Sequence, residues 1–192
     1  MTDNIIEPAR PHDAVAIRRL IHELATAEGR PDDCRITEAQ VRGWIEDPKQ
    51  LLRFYVTRLT SAPKVRLPDT IRIPRRTLLP PPPLLLLPVS SPSQVVAYGC
   101  FGLLLHTFDG RLEGHVEDLV VDEAHRGRGH GTAMFRHLLR EAKRAGASEV
   151  SLGVHKGNLA MMAYYEKVFG AKIETRWRTM TIDLSGDPVA AD

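Results

Sequence analysis

Residues 125–134 read HRGRGHGTAM, placing three glycines (Gly127, Gly129, Gly131), two arginines and two histidines in ten positions. The stretch before it, GHVEDLVVD (114–122), has the β-branched, apolar character of a strand. After it, Met134, Leu138 and Ala142 fall on one side of a helix, with Phe135 and Leu139 alongside. Glycines between a strand and a helix let several consecutive backbone N–H groups point inward with no Cβ in the way. The helix opening near Gly131 adds the positive end of its dipole, and Arg126 and Arg128 can neutralise charge that the amides leave. The reading is a phosphate cradle, although a purely structural turn would also fit this stretch alone. Two other phosphate loops are excluded: there is no G-x-x-x-x-G-K-[ST], and Thr132 stands where a dinucleotide fingerprint beginning at Gly127 wants Gly or Ala.

Outward from this turn, strand and helix patterns alternate, as an α/β or α+β architecture requires. NIIEP is a short first strand; Ile17, Leu20, Ile21 and Leu24 form the apolar stripe of a helix entered through Pro11. Thr37 and Gln40 make a capping box for a second helix, which Asp47-Pro48 stops. LLRFYVTRL and VVAYGCFGLLLH read as strands, followed by a turn at Asp109-Gly110 and the strand GHVEDLVVD. Gly146 caps the third helix, EVSLGVH is a further strand, residues 158–169 a helix closed by Gly170, and IETRWRTMTID (173–183) a final strand. The expected organisation is one domain, 1–192, with an insertion at 60–94. That segment holds nine of the fourteen prolines and lacks periodicity. Pro80–Pro83 favours polyproline II and offers a bare PxxP spacing to an SH3-type partner, with a plain surface loop as the other reading. Leu84–Leu87 should lie against the domain or a partner.

Arg126–Gly131 matches the R/Q-x-x-G-x-G/A pyrophosphate loop of the GNAT superfamily of acetyltransferases, and Asn158 with Tyr165 in NLAMMAYYEKVFGAK resembles that superfamily's N-x6-Y-E-K-x-G block. The resemblance implies the GNAT fold, a mixed central sheet flanked by helices, and acetyl-CoA as cofactor. It places the pyrophosphate on Arg126, Gly127, Arg128, Gly129, His130, Gly131 and Thr132, and the pantetheine beside Leu119, Val120 and Val121. Asn158, Tyr165 and Lys167 would close over it. IRRLIHELATAEGR, RITEAQVRGWIEDP, HTFDGRLEGHVEDLVV and RWRTMTID look like the diamine and polyamine N-acetyltransferases, including the thialysine branch, from about Ile5 to Leu184. GHVEDLVV is also similar to the core strand of glucosamine-phosphate N-acetyltransferases. Protein lysine acetylation and a non-catalytic CoA-binding module are the other readings this family allows. A homodimer is implied.

Acetyl transfer to an amine needs a neutral nitrogen, yet an alkylammonium has a pKa near about 10. By resemblance Glu117 accepts that proton, directly or through a water; a direct role would call for partial burial to make the carboxylate more basic. Asp118 would point to the opposite face by strand period, or the two acids could simply bond local backbone. Tyr165 fits the donor to the departing thiolate, with Tyr164 as a packing neighbour, and an N–H near Val120 could polarise the carbonyl if the strand is irregular there. Glu28 aligns with a glutamate at the far end of a polyamine, or is a surface charge, and Trp177 with a tryptophan near the acceptor, or packs in a core or dimer. Ala27 departs from the aromatic that the polyamine enzymes carry. No catalytic metal is expected, because His125 and His130 lack an accompanying ligand motif.

Composition bounds these readings. The net charge of +2 conceals an excess of four positive charges within 60–94, so the remaining chain is mildly acidic, which argues against a nucleic-acid surface and suits a cationic ligand. The opening residues lack a secretory pattern and no apolar run suffices to span a bilayer, so a cytoplasmic location is expected, with the nucleus also open, and no membrane partner. Cys34 and Cys100, outside any paired spacing, read as buried small hydrophobes.

Overall fold

The strand and helix patterns fold as an α/β sheet structure whose computed structural model describes residues 3–60, 94–175 and 179–181. The elements are β1 (Asp3–Pro8), α1 (Ala14–Ala27), α2 (Glu38–Glu46), β2 (Leu52–Thr60), β3 (Gln94–His106), β4 (Arg111–Val121), α3 (His130–Arg144), β5 (Glu149–Leu152) and α4 (Leu159–Phe169). Five strands pair in the order β1-β2-β3-β4-β5, the first three pairings antiparallel and β4–β5 parallel. The chain divides into two compact units, Met1–Gly153 and Val154–Asp192.

Local signals act where the residues predict. A 3-10 turn at Pro11–Asp13 leads into α1. Thr37 Oγ1 accepts from the Gln40 N–H at 3.2 Å while Gln40 Oε1 accepts from the Thr37 N–H at 2.9 Å, the reciprocal cap of α2. Gly110, Gly146 and Gly170 hold the left-handed conformation at the β3–β4 turn and just beyond α3 and α4.

Helices cover both faces of the middle strands, which is why β3 is buried from Val95 through Phe101 rather than alternating. On one face, Ala14, Ile17 and Leu20 of α1 and Val41 of α2 pack on Phe54, Val56, Tyr98, Cys100 and Val120. On the other, Met134 and Leu138 of α3 lie over Gly99, and Tyr55 packs edge-on to His137 at 4.7 Å. A Cβ at Gly114 would come within 2.9 Å of the Ala142 Cβ, so that glycine sets the approach of α3 to β4. Beneath α1, Arg58 is buried and donates to Glu7 at 2.5 Å and to Asp13 at 2.6 Å, tying the entry of α1 to β1 and β2.

Three expectations change. Cys100 is buried, and burial pushes its thiol well up, but Cys34 is only half-buried, since it follows the 3-10 turn at Pro31–Asp33 outside either helix face. Residues 173–175 and 179–181 of the expected last strand are not strand; alternation yields a strand only when a neighbour supplies a hydrogen-bonded ladder. β4 is not uniformly paired, as described below. Of the 60–94 insertion only the ends are described: Leu59 pairs with Gln94, so the segment leaves and re-enters the sheet at one point. The Pro80–Pro83 and Leu84–Leu87 tracts lie outside the described residues.

Because the Ala142 methyl cannot swing aside, Gly114→Ala should lower stability by about 1–3 kcal/mol without changing the fold, measured as a lower urea midpoint at unchanged slope.

Candidate active site

β4 carries one residue more than β3 can pair. Asp118 pairs with Cys100 and Val116 with Phe101, so Glu117 is the inserted residue of a β-bulge. Period two would put residues 116 and 118 on one face; the bulge instead leaves Val116 opposite Phe101 and swings Asp118 to the Cys100 face. Pairing with β5 stops at the same place: it runs from Glu113↔Glu149 to Val116↔Leu152. From Glu117 to Val121, no described strand pairs with that edge of β4. The irregularity anticipated near Val120 therefore sits at Glu117.

The glycine turn follows directly. Asp122 Oδ1 accepts from the Ala124 N–H at 3.0 Å and meets His125 Nδ1 at 3.0 Å, while its other oxygen accepts from Arg19 at 2.7 Å, which fixes the turn to α1. Arg126 Nε donates to the Val121 carbonyl at 3.1 Å. Gly127 and Gly129 have φ of 72° and 83°, and Gly129 is an N-cap with no side-chain cap on α3. The first turn of α3 lies against β4: a Cβ at Gly131 would make ordinary contact with Val121 at 3.4 Å and Leu119 at 3.7 Å. His130 is buried, with Nδ1 unpartnered among the described residues; burial, then His125 and Arg128, hold its ring below the usual imidazole range and neutral. A left-handed glycine pair, an uncapped helix start and an orphaned buried nitrogen form a cradle for an anion, which fits the diphosphate of a coenzyme.

At the other end of the open edge the charge is negative. Glu117 is 60 % exposed, so the burial that a direct base would call for is not found, and its Oε2 lies 3.8 Å from His115 Nε2. Asp118 is largely buried and accepts from the Tyr98 hydroxyl at 2.5 Å. Burial pushes its carboxyl up; Tyr98 pulls it back, while Glu117 and Glu28 add to the rise. The structure thus brings Glu117 and Glu28, just beyond the end of α1, within electrostatic reach of Asp118. Leu119 and Val121 are half-buried; Val120 is in the core.

In the second unit Asn158 caps α4, its Oδ1 accepting from the Met161 N–H at 3.2 Å. Tyr165 is buried, with Tyr164 at 5.7 Å and Phe169 at 6.2 Å; burial, then Tyr164, push its phenol up, so it is protonated at neutral pH. Lys167 is exposed, and Trp177 lies outside the described residues.

Sequence reasoning missed Tyr98, His115, Ser151 and Glu113, whose association needs the strand register. His106, Glu113 and Glu149 bring side-chain N and O atoms within 4.8 Å of one another. Arg111 already meets Glu149 at 2.6 Å there. A cleft of about 650 Å³ lies on the α1 side, lined in part by Asp13, Arg19, Arg58 and Asp122. Its charged walls are paired with one another, so the open edge of β4 is the better candidate.

Because the folded state favours the protonated form of Asp118, its ionisation costs stability as pH rises from the ordinary aspartate range through the raised folded value. Asp118→Asn should be more stable than the parent at pH 7 and equal to it near pH 3, by denaturant midpoints at the two pH values.

Residues 48–171 match the acetyltransferase (GNAT) family. A probable glucosamine 6-phosphate N-acetyltransferase of rice (Oryza sativa subsp. japonica) is 41% identical over 81 residues, 42% of this chain and 47% of that one, so the chain matches about half the length of this relative. A thialysine N-epsilon-acetyltransferase of Mus musculus is 28% identical over 174 residues, covering 90% of this chain and 86% of that protein. A possible acetyltransferase from Clostridium difficile 630 has the same fold, with a TM-score of 0.68 at 15% identity, over 94% of this chain and 98% of that one. No helix among the described residues is long and apolar enough to cross a membrane. Bulged strand, glycine turn and family match agree: the chain belongs to the GNAT acetyltransferase family, whose acetyl donor is acetyl-CoA.

Proposed function

We propose that this protein transfers acetyl from acetyl-CoA to a primary amine of a small cationic molecule, a diamine, polyamine or thialysine-like compound. The observation that carries this reading is Glu117, a solvent-reachable carboxylate on a bulge at the start of an open strand edge that ends in an anion cradle. In this reading the amides of Gly129, His130 and Gly131, with Thr132 and the turn's Gly127, hold the diphosphate, assisted by Arg126 and Arg128. Leu119, Val120 and Val121 offer their backbone to the pantetheine amides as an added strand would. When bound, acetyl-CoA supplies the activated acyl carbon that the amine attacks. Glu117 orients the ammonium and accepts its proton. Tyr165, buried and protonated, donates to the departing thiolate, a role that rests on the Asn158–Lys167 block. Glu28 and Asp118 add negative charge that favours a second ammonium on the acceptor, and Trp177 borders the acceptor. The protein works as a cytoplasmic homodimer.

The mouse relative's name and its match over most of both chains support a thialysine-like acceptor. Local identity to the rice relative favours an amino-sugar phosphate as a second reading. The wider match favours the first reading: 90% of this chain and 86% of the mouse relative, against 42% and 47% for the rice relative.

Free thiol release from acetyl-CoA should be fastest with diamines, polyamines or thialysine, and slower with glucosamine 6-phosphate and lysine peptides. Faster turnover of the sugar phosphate would replace the first reading with the second. Glu117→Gln should depress kcat/KM for the amine most at low pH, by about a hundredfold at pH 7, and least near pH 10, where more acceptor arrives neutral. Tyr165→Phe should lower kcat by about ten- to ten-thousandfold with acetyl-CoA affinity little changed by calorimetry; unchanged kcat would assign the phenol to packing.

A further inference from the structure

The glycine turn leads into α3 on one face of the sheet, yet a side chain that fastens it comes from α1 on the other. Arg19 Nη1 donates to Asp122 Oδ2 at 2.7 Å and, within its own helix, to Glu23 Oε1. The Asp122 side chain is only 14 % exposed, and its other oxygen accepts from the Ala124 N–H and meets His125 Nδ1. Its backbone N–H donates to the Val96 carbonyl of β3 at 2.9 Å. One aspartate thus joins β3, α1 and the 3-10 turn at Glu123–His125, and Arg126 and Gly127 follow that turn directly.

Burial would push the Asp122 carboxyl up, but His125, Arg19 and the Ala124 N–H hold it below the usual carboxylate range, so it is ionised and both oxygens accept. An exposed ion pair contributes little, because water competes for both partners. Here the anion is largely shielded from water and its other oxygen is already committed. Without Arg19, Oδ2 loses a charged donor where water reaches poorly, and the carboxylate gains by turning outward. That movement uncaps the Ala124 amide and loosens the turn.

α1 also runs alongside the stretch of β4 beyond its pairing with β5. Glu28, just past the helix, lies within electrostatic reach of Asp118, as Arg19 meets Asp122. Nine residues of helix from Arg19 to Glu28 rise about 14 Å, and the four extended residues from Asp118 to Asp122 span about 13 Å. The matching lengths let one helix fix the spacing between the acceptor end and the coenzyme end.

We propose that Arg19 is a positioning residue for the coenzyme: by holding Asp122 it keeps the glycine turn in the shape that receives a diphosphate. This rests on the cradle reading of residues 127–132 given above. Arg19 acts through Asp122 and takes no part in the proton transfers. Its effect falls on affinity, because a turn that must first be ordered is competent to bind only part of the time.

Arg19→Met keeps the aliphatic stem and removes the donors. Calorimetry with CoA should find Kd about five- to tenfold higher, and KM for acetyl-CoA should rise alike with kcat and the amine KM little changed. Arg19→Lys, which still carries a charged donor, should recover most of the loss. Asp122→Asn should weaken CoA by a similar factor, and adding Arg19→Met to it should cost nothing further. Glu23→Ala, which breaks only the bond inside α1, should bind CoA as the parent does. In the unliganded protein, hydrogen exchange of the amides of 124–131 should quicken in Arg19→Met while β3 and the interior of α3 keep the parent rates. A parent-like Kd for Arg19→Met overturns the tie, as does an equal loss in Glu23→Ala, which would assign Arg19 to helix stability. Exchange that quickens equally in β3 and α3 also overturns it, because the substitution then loosens the whole domain. Gly129→Ala tests the reading beneath: at a φ of 83° the added methyl strains the turn, so a diphosphate cradle there predicts weaker CoA binding. Parent-like binding in that variant removes the cradle and the tie with it. Weakened binding there with an unchanged Kd in Arg19→Met removes only the tie.

Discussion

One inserted residue organises this molecule. Because Glu117 has no partner on β3, the alternation of β4 changes sense midway: Val116 still lies opposite Phe101 on the α3 face, and Asp118 lies opposite Cys100 on the α1 face. A bulge also bends its strand and increases the local twist, and the parallel pairing with the four-residue β5 ends one residue before it. The edge left open belongs to a strand whose far end runs into the glycine turn. α3 starts against Leu119 and Val121, so the end of the sheet pairing and the helix terminus adjoin. A β4 in perfect register would remain paired, and its backbone would have nothing to offer a ligand.

The site that results is electrically polarised along a single strand. At its start stand Glu117 and Asp118, with Glu28 near enough to influence the latter. At its end stand backbone amides, Arg126 and Arg128. From Glu117 to Val121 the strand spans about 13 Å, which separates a cation-attracting end from an anion-attracting end. That separation suits two ligands of opposite charge brought end to end. The acidic balance of the chain outside its proline-rich insertion points the same way, but only the placement of these carboxylates turns a weak compositional hint into an argument.

Much of this was legible in the residues because the signals were local. The Thr37–Gln40 cap, the glycines ending α3 and α4, and the strand-to-helix turn at Gly127–Gly131 each depend on a few consecutive positions. The bulge was not legible, because GHVEDLVV alternates no differently with or without it; only the partner strand shows that one residue is extra. The same holds for Ser151 and His115, which are 36 positions apart and meet only through the parallel register of β4 and β5. Residues 173–175 show the converse failure, since an alternating stretch with β-branched residues is not strand where no ladder takes it up. Cys34 was misjudged because burial of a cysteine was argued from residue type, whereas its exposure follows from the turn that precedes it.

Two adjacent acids with like charge would ordinarily be interchangeable, and the fold makes them different. Asp118 turns inward, where the Tyr98 hydroxyl satisfies it and burial makes its ionised form costly. Glu117 stays in water, where it can reach an incoming ammonium. The two acids therefore take different tasks: Asp118 is bound into the fold, and Glu117 faces the solvent. The bulge makes that division possible, because without the extra residue Glu117 would alternate into the position that Asp118 now fills.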